Sequence, residues 1–541
     1  MSPSFLILTL LTFAATSFMH VVRADGPLVH TKYGAVRGVY VDGASVFYGI
    51  PYAKPPTGTR RWQDAQPIDS WSPKILQATT PPPACPQNCV LPPGMCVNKT
   101  DEDCLFMTIH APLTAKPSSS LPVMAYIFGG NYIQGSGYNL LQDGRYLVNY
   151  TNVILAEFNY RIGALGFLVT GEGEGAATGN YAIRDQRFAL QWIRENIAAF
   201  GGDPNSVTIF GESSGAESVS IHLISEKSSD LFNRAIIQSH PFGLPYRRFA
   251  DAVVLGAIFA KHLNCSPGDT ECMKTKTVEE ILQAQTESAT KIINPLRLLE
   301  LFQAWGPLVG GSDLPKQPVD SFAAGEYNKK PVMIGSTSDE GRLDLFEAYT
   351  SAMSKTQYYE TIIADFRLRA IEVLAKFPPS DSKDQRDLLS LIGHQYMFFC
   401  PERIAARGIS THSGDVYMYV FNHTISFDAW GANYSFCVGH PCHGSELPFL
   451  FHSAPLGGFK FTKGEEVLSR SLMTYWTNFA STGDPNKRGE KKNSERGDFI
   501  EWPKYDNSTN WQYLHFLTPN RIGKNYLDHE CNFWDFIRYY P

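Results

Sequence analysis

The stretch that most constrains this chain is Val207-Thr-Ile-Phe-Gly211-Glu212-Ser213-Ser214-Gly215-Ala216, where a short β-branched and aromatic strand runs into Gly-x-Ser-x-Gly and then into a helical pattern. A turn that sharp needs small residues on both sides of its centre, because neighbouring backbone passes close by, and it lifts the central hydroxyl above the sheet edge. The five-residue motif alone is a weak signal. Strand, tight turn and helix in that order make it specific, and Ser213 becomes the candidate nucleophile.

Other apolar runs support the same architecture. Val123 to Phe128, Val153 to Phe158, Val207 to Phe210, Ala235 to Gln238, Val332 to Ile334 and Val416 to Phe421 read as strands between helical patterns. Such alternation predicts an α/β chain with a parallel or mixed sheet covered on both faces. Asp185 to Ile197 carries Phe188, Leu190, Trp192, Ile193 and Ile197 at helical spacing, with Gly201 and Gly202 as the stop. Thr277 to Leu301 reads as mostly helical, part of a cap over the site. With no internal repeat or low-complexity linker in the 541 residues, the expectation is one catalytic unit, 25–541, behind a leader.

A serine hydroxyl is a poor nucleophile until a base takes its proton, so a histidine and an orienting carboxylate must follow. In a strand–elbow–helix chain they come in the order Ser, acid, His. Asp339 and Glu340 both sit just past the strand Val332 to Ile334, and His440 and His443 share the stretch Gly439-His-Pro-Cys-His-Gly444. Chemistry alone leaves both choices open. For the oxyanion, Phe128-Gly129-Gly130-Asn131-Tyr132 follows a strand directly, so the N–H groups of Gly130 and Asn131, with that of Ser214, are the expected donors. Cys437, His440, Cys442 and His443 superficially resemble a zinc cluster, but their spacing fits no familiar site and an exported chain favours a disulfide there. This chemistry calls for no metal and no organic cofactor.

The formal net charge of −6 and the lack of a long Lys/Arg run exclude a phosphate-backbone partner. The cluster Lys487 to Arg496, interleaved with Gly, Asn and Ser, reads as a solvated loop. The apolar run Phe5 to Phe13 followed by Val22-Arg-Ala24 reads as a signal peptide, 1–24, and no segment reads as a membrane span. Ten cysteines can all pair in an oxidising compartment, and Asn-x-Ser/Thr sequons begin at Asn98, Asn149, Asn264, Asn422, Asn433 and Asn507. A secreted glycoprotein is the expectation.

From about Gly34 to the carboxyl terminus the sequence resembles the type B carboxylesterase and cholinesterase family. The strings that carry the resemblance include Phe47-Tyr-Gly-Ile-Pro-Tyr-Ala-Lys-Pro-Pro56, Glu102-Asp-Cys-Leu105, Asn180-Tyr-Ala-Ile-Arg-Asp-Gln-Arg187, Phe200-Gly-Gly-Asp-Pro204 and Gly211-Glu-Ser-Ser-Gly215. The resemblance implies the α/β-hydrolase fold: a large, mostly parallel twisted sheet flanked by helices, with helical cap insertions. It assigns the catalytic glutamate to Glu340 and the histidine to His443. It implies disulfides Cys85–Cys104, Cys265–Cys272 and Cys400–Cys531, and Cys89–Cys96 and Cys437–Cys442 remain as local extra pairs.

The implied function is hydrolysis of a small-molecule carboxylic ester through an acyl-enzyme on Ser213. The alternatives are an inactive adhesion or structural member of the same fold and a true cholinesterase. Two departures bear on this. Asn131 stands where the family has the third glycine of the oxyanion turn, a position Asn tolerates better than most residues. The loop between Cys85 and Cys104 contains no tryptophan to hold a quaternary ammonium, which disfavours choline esters. Pro245-Tyr246 replaces the frequent Pro-Trp of the acyl-pocket region and leaves acyl preference open.

Overall fold

The computed structural model describes residues 26–294, 297–487 and 499–540. The expected leader, 1–24, and residues 488–496 of the charged stretch lie outside them. Eleven strands form the main sheet. They are β1 (Val39–Val41), β2 (Ala44–Pro51), β3 (Phe106–Pro112), β4 (Leu121–Ile127), β5 (Ile154–Phe158), β6 (Gly202–Glu212), β7 (Arg234–Gln238), β8 (Val332–Thr337), β9 (Val416–Phe421), β10 (Gln512–Phe516) and β11 (Arg521–Lys524). The helices that position the site are α1 (Tyr181–Asn196), α2 (Ser214–Ile224), α3 (Val278–Ala289), α4 (Gly341–Ala348) and α5 (Lys463–Thr482).

Across the sheet the order is β11-β10-β9-β8-β7-β6-β4-β5-β3-β2-β1. Everything from β10 to β5 is parallel. β11 at one edge, and β3, β2 and β1 at the other, join antiparallel. A large mixed sheet flanked by helices is therefore what forms, as expected.

The sequence explains why these segments are strands. β8 and β9 are buried along their whole length, so Val332–Ile334 of β8 and all of β9 read as apolar runs, as parallel strands covered on both faces do. Along β6, Thr208 turns toward α5, its hydroxyl donating to the Ala480 carbonyl at 3.3 Å, while the alternate residues Val207 and Ile209 are fully buried on the other face. α5 is set by the Thr462/Glu465 capping box at its start and by Gly483 in a left-handed conformation at its end. Two of the strings singled out above serve as clamps. Glu102 accepts from Arg61 Nε and Nη2 at 2.7 and 2.6 Å, and Asp185 takes Arg161 through two bonds of 2.7 Å.

Thr277 to Leu301 is mostly helical, as expected, but in two pieces: α3 ends at Ala289, and a separate 3-10 turn covers Leu298–Gln303. The Thr277/Glu280 capping box starts α3.

Candidate active site

Because the central strands are parallel, the chain leaves all of them at one edge of the sheet. Ile127 of β4 lies opposite Gly211 of β6, Gln238 of β7 opposite Glu212, and Thr337 of β8 opposite Phe421 of β9. Residues 129–131, Ser213, Ser239, Glu340 and the loop bearing His443 are thus carried to a single crevice outside the carboxyl ends of the strands.

Ser213 occupies φ 59 and ψ −128, a backbone region costly for any side chain by roughly 1–3 kcal/mol. Its surroundings hold it there: the Ser213 N–H donates to the Gln238 carbonyl at 2.9 Å and its carbonyl accepts from the Glu217 N–H at 3.0 Å. The flanking glycines permit the approach. A Cβ on Gly211 would lie 2.6 Å from the Gly215 carbonyl, and one on Gly215 would lie 2.0 Å from the Ile127 oxygen. Since both obstacles are backbone, Gly215→Ala is expected to cost about 3 kcal/mol, read as a lowered urea midpoint. A midpoint equal to that of the parent would show that the elbow is not closely packed.

His443 sits between two carboxylates. Its Nδ1 contacts Glu340 Oε2, and its Nε2 lies 3.1 Å from Glu212 Oε1. Glu340 is fully buried and also accepts from Ser239 Oγ at 2.6 Å and from the Thr337 N–H. Burial opposes its charge, but His443 and these donors outweigh burial and hold the carboxyl below its usual range. Burial likewise opposes charging the His443 imidazole, yet Glu212, Glu340 and Asp344 together push it well above the ordinary histidine value. Glu212 is itself pushed up to about 8, chiefly by burial.

The two residues that competed for these positions lie elsewhere. Asp339 and His440 pair with each other at 3.0 Å on a more exposed face. Cys437 and Cys442 are joined in a disulfide, so neither sulfur is a metal ligand. The other four disulfides are Cys85–Cys104, Cys89–Cys96, Cys265–Cys272 and Cys400–Cys531.

At the end of β4, Gly130 and Asn131 have φ values of 116 and 55, and the Gly130 carbonyl accepts from the N–H groups of Ile133 and Gln134. Among the described residues, the N–H groups of Gly130, Asn131 and Ser214 have no acceptor. Gly130, Asn131, Ser213 and His443 all line one cavity of about 300 Å³. Its remaining wall is mostly apolar and was largely missed from the sequence. Residues 90–95, inside the ring closed by Cys89–Cys96, form one side; Phe427, Trp430 and Tyr434 form another, and Tyr434 fastens itself to the Val90 carbonyl at 2.6 Å. Trp430 thus brings a tryptophan to the cavity wall from a segment other than the Cys85–Cys104 loop. The aromatic spacing before Cys437 was the available signal.

A mixed sheet with a strained serine elbow and a histidine–glutamate contact at its carboxyl edge defines an α/β-hydrolase of the esterase type. The model of the Carboxylesterase family matches residues 25–534, and the chain belongs to that family. It is 36% identical over 458 residues to the "Crystal protein" of Dictyostelium discoideum, covering 84% of this chain and 81% of that one. It is 32% identical over 588 residues to human Neuroligin-2, covering 94% and 67% respectively. Among solved structures a PNB esterase superposes with a TM-score of 0.78 at 29% identity, covering 94% of this chain and 99% of the other.

Proposed function

We propose that this protein is a secreted carboxylic ester hydrolase in which Ser213 attacks the carbonyl, His443 takes and then returns the proton, and Glu340 orients the imidazole. The observation that carries this reading is the placement of Ser213, in its strained elbow, in the same cavity as His443, whose other ring nitrogen is engaged by buried Glu340. The free N–H groups of Gly130, Asn131 and Ser214 are the donors for the developing oxyanion. The reaction proceeds in two halves: an acyl-enzyme forms as alcohol leaves, and water activated by His443 releases the acid.

Labelling of purified protein by a fluorophosphonate probe, with the adduct mapped to Ser213, tests the reading directly. No labelling at any concentration would favour the non-catalytic alternative. Export is supported by the five disulfides and by the six sequon asparagines, all of which are exposed. Among the described residues no helix is long and apolar enough to cross a membrane.

The acidic surroundings of His443 set a pH dependence. The base is active only when neutral, and an elevated imidazole pKa moves the rising limb of kcat/KM to higher pH. Glu212, itself pushed up to about 8, favours the charged ring wherever it is ionised, so Glu212→Gln removes that contribution. The rising limb of the kcat/KM profile is expected to move to lower pH in that variant. A shift to higher pH would reverse the assigned sign.

A further inference from the structure

The esterase reading leaves one buried polar chain beside the nucleophile unused. Glu217 lies on α2, four residues past Ser213, and is almost wholly buried. Its Oε1 accepts from Gln303 Nε2 at 2.7 Å. The same Gln303 nitrogen lies 3.3 Å from Asn131 Oδ1, and the Asn131 side-chain amide donates to the Phe302 carbonyl at 2.7 Å. A chain of contacts therefore runs from the helix behind Ser213, through the 3-10 turn Leu298–Gln303, to the turn that carries the unpartnered N–H groups.

Asn131 has a left-handed φ of 55, which its short polar side chain tolerates but does not by itself secure. A glycine here would sample many conformations; an asparagine tied at both side-chain atoms samples few. Such an arrangement turns a substitution in the oxyanion turn from a liability into a restraint. Burial pushes the Glu217 carboxyl up to about 8, so near neutral pH it is largely uncharged, and its link to Gln303 is then an ordinary hydrogen bond.

We propose that Gln303 is a positioning residue for the oxyanion donors: held by Glu217, it and the Phe302 carbonyl clamp the Asn131 side chain and so aim the N–H groups of Gly130 and Asn131 at the carbonyl oxygen of the substrate. This rests on the esterase reading of the same cavity. Donors misplaced by an ångström stabilise the transition state much less, while ground-state binding in the apolar cavity changes little.

The experiment compares wild type, Gln303→Ala, Glu217→Ala and Glu217→Gln on a neutral p-nitrophenyl ester and on a trifluoromethyl ketone, which presents an oxyanion when bound. Removing an entire oxyanion donor costs about 100- to 1,000-fold, so loosening the clamp is expected to lower kcat by roughly ten- to a hundredfold in Gln303→Ala. KM should stay within about twofold, and ketone affinity should fall in step with kcat. Glu217→Ala should behave like Gln303→Ala, whereas Glu217→Gln, which keeps a carbonyl acceptor for Gln303, should recover most of the loss. A role in packing alone would not separate kcat from KM or tie the loss to ketone affinity. If Gln303→Ala does not fold, Asn131→Ala carries the same kcat and ketone comparison from the other end of the clamp. Wild-type turnover with unchanged kcat and ketone affinity in the variants overturns the positioning role alone. Absence of wild-type turnover and labelling overturns the esterase reading and the positioning role with it.

Discussion

Ser213→Ala is expected to lower ester turnover by on the order of a millionfold in kcat while leaving the fold intact. The hydroxyl supplies the only bond to the acyl group in the first half of the reaction, so its removal leaves just the positioning and oxyanion contributions. Stability should barely change, because the Ser213 hydroxyl makes no hydrogen bond among the described residues and the elbow is held through backbone contacts to Gln238 and Glu217. The check is p-nitrophenyl ester hydrolysis beside a thermal melt of the same preparation. Full activity in a well-folded alanine variant would falsify the assignment of the nucleophile.

The second large effect belongs to Glu340→Gln. The carboxylate meets His443 at Nδ1, which leaves Nε2 as the nitrogen that faces the cavity side. A neutral amide of the same shape can present its NH2 to Nδ1, stabilise the wrong tautomer, and no longer favour the imidazolium that forms during attack. Loss of about 10⁴-fold in kcat is expected, with substrate binding little affected. Because Glu340 is fully buried and accepts from Ser239 and Thr337 as well, the variant must also be checked for folding by near-UV circular dichroism. A folded variant within tenfold of wild type would overturn the orienting role of Glu340.

Some of this was readable from the chain because local rules and global fold agree. The parallel strands are buried on both faces, so Val332 to Ile334 and Val416 to Phe421 stand out as unbroken apolar runs. The elbow is legible because only Gly211 and Gly215 allow the backbone of β4 and α2 to come so near. Edge strands were harder: β1 has only half-exposed and exposed residues, and β11 lies past a turn at the sheet margin. The choice between Asp339 and Glu340 was not decidable from chemistry, since adjacent residues past a strand end point in different directions; only their packing sends one inward to His443 and the other outward to His440. Glu212, Gln303 and Trp430 went unrecognised as cavity or clamp residues for a related reason. Their partners are far away in sequence, and a side chain's neighbours across a crevice leave no periodic trace.

The ring formed by Cys89 and Cys96, nested within the Cys85–Cys104 loop, reaches beyond stability. Because its chain freedom is already removed when the disulfides close, a ligand meets a wall whose ordering entropy was settled during folding and is not subtracted from affinity. Adapting such an enzyme to a bulkier or smaller guest would then proceed by exchanging the side chains at positions 90–95, with the ring itself kept as a fixed frame.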